Sequence, residues 1–179
     1  MIKNNRFFYL PLLICIIFFC GCETPFDGID TSEVNKSPKA VVSADITEGG
    51  VNRYLSLMSL NYGDTVVTGK FNDWRPESKY RLKAGYHNGY DFAAPAGTEV
   101  PAGWEGKVTE IIYWGYGEFA VKIKKGKQMT QYGHLNSLRV CIGQKITTGQ
   151  TIGKIAVDHV DVKMKINGYF YDFGKSADQ

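Results

Sequence analysis

Apolar positions are unevenly spread along this chain. Phe7 to Phe19 is an almost unbroken apolar run behind Lys3 and Arg6, and it ends at Cys20-Gly21-Cys22. From Glu23 to about Gly50 large apolar residues are scarce, Pro25 and Pro38 intervene, and no periodicity is sustained, as in a flexible tether. Beyond it, short segments rich in Val, Ile and Tyr recur between glycines: Thr65-Val66-Val67, 106–113, 119–123, 129–132, Lys145-Ile146 and 160–166. Their length and composition predict strands.

Alternation assigns faces to two of them. Phe119, Val121 and Ile123 fall on one side before Gly126 turns the chain, which predicts a half-buried antiparallel strand. Val160, Val162, Met164 and Ile166 share one side of the later segment, with His159, Asp161, Lys163 and Lys165 on the other. Asn167-Gly168 then supplies a tight turn into Tyr169-Phe170-Tyr171. Apolar residues approach helical spacing only over Val51–Leu60, and Asn72–Tyr86 is the longest irregular stretch. Its place just before His87 suits one wall of a cleft. The predicted fold is mainly β, an antiparallel sheet or sandwich.

The leader has the layout of a secretory signal and is too short to span a bilayer comfortably. Cleavage before Cys22 and acylation of its sulfur would give a lipoprotein held at the membrane through lipidated Cys22; an uncleaved anchor and a plain signal peptide are the alternatives. Each exports the remainder. The expected organisation is a signal over 1–21, a tether over 22–50 and one domain over 51–179. Removing the leader leaves 158 of 179 residues, enough for one core. Lys3 and Arg6 go with the leader, leaving 19 basic residues against 18 acidic, a balance that does not point to nucleic acid. Cys15 and Cys20 go too, so with Cys22 acylated only Cys141 is a free thiol, in an apolar run that reads as core, and no disulfide framework exists.

The three histidines of the chain lie in His87-Asn88-Gly89-Tyr90-Asp91, Tyr132-Gly133-His134-Leu135 and His159-Val160-Asp161. Imidazole nitrogen and carboxylate oxygen both suit zinc, whose catalytic sites use three protein ligands and keep one position open. Taken alone, His87-x-x-x-Asp91 is a weak signal that also arises as a surface pair. The flanking sequence sharpens it. His87 to Thr98, Gly106-Lys107-Val108, Tyr116-Gly117, Tyr132 to Leu135, and Gly143-Gln144-Lys145-Ile146 to Gly149-Gln150-Thr151-Ile152-Gly153 resemble the lysostaphin/LytM-type zinc endopeptidases in order and spacing. The resemblance covers about residues 64–173.

That resemblance implies an antiparallel β fold with an open substrate groove, zinc as cofactor, and hydrolysis of peptide bonds in bacterial cell-wall peptidoglycan. It implies metal ligation by His87 and Asp91 and catalysis by His134. The family's last motif is His-x-His; here Lys165-Ile166-Asn167-Gly168 registers the stretch so that His159 is catalytic and Asp161 stands at the third ligand position. Residues 159 and 161 of a strand share a face, so Asp161 reaches what a His there would reach. A His/Asp/Asp set carries one more negative charge, which weakens the Lewis acid and admits harder divalent metals. A registration slid by two residues would instead make His159 the ligand and leave catalysis to His134. From another class comes the alternative of a degenerate domain that binds peptidoglycan or regulates a partner hydrolase.

Overall fold

The computed structural model describes residues 50–78 and 81–175. The signal, Cys22 and nearly all of the tether lie outside these residues. The helix is α1 (Gly50–Ser59), and twelve strands follow: β1 (Val66–Gly69), β2 (Trp74–Arg75), β3 (Gly85–Tyr86), β4 (Tyr90–Ala93), β5 (Glu99–Pro101), β6 (Gly106–Gly115), β7 (Glu118–Lys125), β8 (Gln128–Asn136), β9 (Lys145–Ile146), β10 (Thr151–Ile155), β11 (His159–Ile166) and β12 (Tyr169–Tyr171). Every pairing between these strands is antiparallel. No helix among the described residues is long and apolar enough to cross a membrane.

The main sheet runs β1-β4-β11-β8-β7-β6-β9, with β12 on β11, and β10 bridging β8 to β5. Val160, Val162 and Met164 of β11 are fully buried, as their alternation requires. Val121 and Ile123 of β7 also reach the core, whereas Phe119 is half-buried and packs on Tyr113, ring centroids 5.2 Å apart. β8 carries an extra residue opposite this end of β7, between the pairs Phe119–Leu135 and Val121–Tyr132. The pairing therefore slips where Phe119 lies.

α1 closes the core through Tyr54 and Met58, both fully buried. The Tyr54 ring meets Phe92 edge-on at 4.7 Å, and its hydroxyl donates to the Pro101 carbonyl at 3.1 Å. Tyr90 and Trp104 are core residues too, whereas Tyr86 and Tyr116 are exposed. Cys141 is half-buried at a turn rather than part of the core, because its backbone N–H turns to the Gln144 side chain at 3.0 Å. The stretch 72–86 is not wholly irregular: Trp74 pairs with Tyr86 and Arg75 with Gly85 as a short two-stranded ribbon.

Candidate metal centre

The site is built by three adjacent strands. In the register of the sheet Asp161 of β11 lies directly opposite Asp91 of β4 on one side and Gly133 of β8 on the other. Two carboxylates opposite each other repel unless a cation joins them. Asp91, Asp161 and His87 are nevertheless among the few buried polar residues of the domain. His87 Nε2 lies 3.4 Å from Asp91 Oδ1 and 3.3 Å from Asp161 Oδ1. Ligand atoms about 2.0–2.2 Å from a tetrahedral ion are about 3.3–3.6 Å apart, so both spacings suit one ion. One ligand atom from each of the three residues falls within a 4.8 Å cluster, so the group can hold a metal ion.

The surrounding groups orient these atoms. The loop before β2 grips His87 through its backbone, with Asn72 N–H donating to the His87 carbonyl at 2.8 Å and His87 N–H to Asp73 at 2.8 Å. His87 Nδ1 lies 3.1 Å from the Lys70 carbonyl and 3.2 Å from Arg75 Nη2, and Nε2 faces inward: without a metal it can donate to Asp161 Oδ1 at 3.3 Å, and once it gives up that proton it presents a lone pair to a cation. Each carboxylate divides its oxygens. Oδ1 faces the centre, while Asp91 Oδ2 accepts from Arg75 Nη2 at 2.6 Å and Asp161 Oδ2 from Lys163 Nζ at 2.5 Å. Burial pushes the Asp161 carboxyl up, and the hydrogen bond from His87 to Asp161, together with the charge and hydrogen bond of the Lys163 ammonium, outweighs it, holding the group down at about 2.

Gly69 makes the Arg75 contact possible. It lies opposite Asp91 in the β1–β4 register, and a Cβ there would collide with both the Arg75 guanidinium and Asp91 Oδ2.

His134 and His159 flank the centre. Their rings are 4.5 Å apart, and His159 Nε2 is 3.8 Å from Asp91 Oδ1. His159 Nδ1–H donates to the exposed Asp158 at 2.6 Å, which orients the His159 ring. His134 Nδ1–H donates to Glu118 at 2.5 Å. Trp114 packs edge-on against the His134 ring at 5.1 Å. The extra residue of β8 falls at this point, and His134 adopts φ 57°, a left-handed conformation that costs a non-glycine residue about 1–3 kcal/mol. Its neighbour Gly133 leaves room for Trp114, whose ring would meet any Cβ there.

All five residues singled out in the sequence are thus brought together: His87, Asp91 and Asp161 at the centre, His134 and His159 beside it. Arg75, Glu118 and the Asp161 contact of Lys163 were not foreseen. Lys163 shares the Asp161 face by alternation, and a hairpin folded about Gly126 carries Glu118 to within a residue or two of His134. No comparable signal marks Arg75, sixteen residues before Asp91 in an irregular stretch.

Residues 85–167 match the profile of Peptidase family M23. The chain is 34% identical over 98 residues to the peptidoglycan DD-endopeptidase ShyA of Vibrio cholerae serotype O1, a span of 46% of this chain and 23% of that protein. The chain therefore spans about a quarter of that curated relative. A zinc-containing peptidase from Vibrio cholerae superposes with a TM-score of 0.54 at 26% identity, over 62% of this chain and 36% of that one. A mutant catalytic domain of the prophage-encoded M23 protein EnpA from Enterococcus faecalis gives 0.51 at 28% identity, over 64% and 92%. His87, Asp91, His134, His159 and Asp161 all lie within the stretch that matches Peptidase family M23.

Proposed function

We propose that this domain is a peptidoglycan endopeptidase of the bacterial cell envelope. In this reading His87, Asp91 and Asp161 hold one divalent ion, zinc or a harder metal, and His134 and His159 are the catalytic groups. The observation that carries it is that His87 Nε2 lies 3.4 Å from Asp91 Oδ1 and 3.3 Å from Asp161 Oδ1, and that one ligand atom from each of the three residues falls within a 4.8 Å cluster. The named similarity to a peptidoglycan DD-endopeptidase supports the substrate class. Export behind the 1–21 signal, with Cys22 as lipid anchor, suits an enzyme whose polymer lies outside the cytoplasm.

A divalent ion bound there supplies a Lewis acid for the scissile carbonyl and lowers the pKa of water. The two flanking histidines divide the remaining work. Each has its Nδ1 proton engaged by a carboxylate, Glu118 or Asp158, so each offers Nε2 for the reaction. One takes a proton from the attacking water and the other, protonated, donates to the developing oxyanion. Arg75 and Lys163 hold the outer carboxylate oxygens, which keeps the inner ones aimed at the centre.

One observation favours a second reading, a degenerate domain that binds peptidoglycan or regulates a partner hydrolase. Arg75 and Lys163 already balance the charges of Asp91 and Asp161. Metal analysis with digestion separates the two. The purified chain, loaded with zinc, cobalt or manganese, should hold one equivalent and release soluble fragments with new peptide termini from purified peptidoglycan. Substoichiometric metal under all three loadings, with intact peptidoglycan, sinks the enzyme reading and leaves the binding module.

A further inference from the structure

The His134 ring is fixed by more than its strand, and the group that fixes it is Glu118. β8 bulges at Gly133-His134 and turns His134 into left-handed backbone at φ 57°. That conformation points the ring across to the first residue of β7, Glu118, whose Oε2 lies 2.5 Å from Nδ1. The Tyr116-Gly117 turn, at φ 53° and 80°, brings Glu118 to that place. Trp114 closes a second side of the imidazole and His159 a third. Both members of the pair are largely shielded, with side-chain exposures of 28% and 21%.

An ionised carboxylate only accepts hydrogen bonds, so at this distance the proton is on Nδ1. Free imidazole of histidine favours its proton on Nε2, and Glu118 reverses that preference. The consequence is chemical: Nε2 is left as a lone pair, and it is the nitrogen not committed to β7.

We propose that Glu118 is a positioning residue that locks His134 in the Nδ1–H tautomer, with Nε2 as its free proton acceptor. This rests on the peptidase reading for its use, though not for its existence. When Nε2 takes a proton from water, the Nδ1 proton stays in its bond to Glu118, and the carboxylate faces the imidazolium charge that forms. Glu118 touches neither substrate nor metal in this scheme; it acts through His134.

The three histidines of the chain make the test direct. In the zinc-loaded full chain labelled with 15N-histidine, with His134→Ala used for assignment, His134 should show a protonated Nδ1 and an unprotonated Nε2. Glu118→Ala should move the proton toward Nε2 and lower kcat by about 10–100-fold with little change in KM. Glu118→Gln, which keeps an acceptor oxygen, should retain the Nδ1–H tautomer and part of the rate. A wild-type His134 protonated on Nε2, or a Glu118→Ala spectrum unchanged from wild type, overturns the proposal. The expected tautomers in a chain that cuts no peptidoglycan uphold the positioning and overturn the peptidase reading.

Discussion

Lys163 is the most exacting place to test how the centre tolerates two carboxylates. Its ammonium sits 2.5 Å from Asp161 Oδ2, with Asp161 only 8% exposed and Lys163 24%. The perturbation is Lys163→Met, which keeps the stem's packing and removes the charge. Burial alone would raise the Asp161 carboxyl, yet it stands at about 2 against an ordinary 3.8. At 1.36 kcal/mol per unit, that difference favours the ionised folded form by roughly 2–3 kcal/mol. The His87 hydrogen bond and the Lys163 charge share it, so losing Lys163 should cost the metal-free domain about 1–2 kcal/mol at pH 7.

The pH window follows from the sign. A carboxyl depressed in the folded state stabilises above its unfolded value near 3.8 and loses that contribution as pH falls through about 2. Urea unfolding of the metal-free chain should therefore show a wild-type advantage over Lys163→Met at pH 7 that shrinks on acidification from about pH 4 toward pH 2. Metal affinity should move the other way. An inner oxygen no longer sharing its carboxylate with an ammonium binds a cation more strongly, by about tenfold for each 1.4 kcal/mol released. Chelator competition measures this. If Lys163→Met leaves metal-free stability unchanged and zinc affinity unchanged or lower, the ion pair is a solvated surface contact with no hold on the centre.

Three other perturbations probe the neighbouring contacts. Asp161→Ala should lower zinc affinity by at least about 10–100-fold while Asp161→His preserves or raises it, both by chelator competition; unchanged metal content in Asp161→Ala places the third ligand elsewhere, His159 being the alternative. Gly69→Ala should drive Arg75 off Asp91 Oδ2 and destabilise the metal-free domain by about 1–3 kcal/mol; if Arg75→Ala makes Gly69→Ala no less costly, the collision with Asp91 Oδ2 sets the cost and Arg75 does not. Tyr54→Ala removes the ring between α1 and the sheet and should cost about 3–5 kcal/mol in urea unfolding. A loss under 1 kcal/mol would mean that α1 adds little to the core.

How far the sequence reveals this molecule depends on whether a contact is written into periodicity or into register. β11 was readable because Val160, Val162 and Met164 on one face are core and Ile166 packs against it, an alternation that carries Asp161 and Lys163 to the other side. β4 was not read as a strand. Tyr90, Asp91 and Phe92 are buried in succession, between β1 and β11, so no alternation marks it, and its central residue is an aspartate. β2 and β5, two and three residues long, lack the length for a pattern, and β10 buries Ile152 and Gly153 in succession, so it does not alternate either. The histidines stood out by rarity, and the resemblance placed them. Their partners did not stand out, because Arg75, Glu118 and Asp158 are ordinary charged residues until the sheet sets each beside an imidazole or a carboxylate.

Register also decides what Asp161 means. Seen alone in the sequence, an aspartate at a histidine position is a surplus negative charge that weakens the site. In the sheet that charge arrives with Lys163 two residues on, and the facing Asp91 arrives with Arg75 held over Gly69. Asp91, Asp161, Arg75 and Lys163 together are neutral, and a neutral imidazole completes the inner set. A lone substitution to aspartate would leave a net charge that burial penalises. The paired one keeps two inward oxygens beside one inward nitrogen at little electrostatic cost. The Asp161–Lys163 pair thus carries the net charge of the single neutral imidazole that the resemblance leads one to expect there, which is why Lys163→Met and Asp161→His bear on the same question from opposite sides.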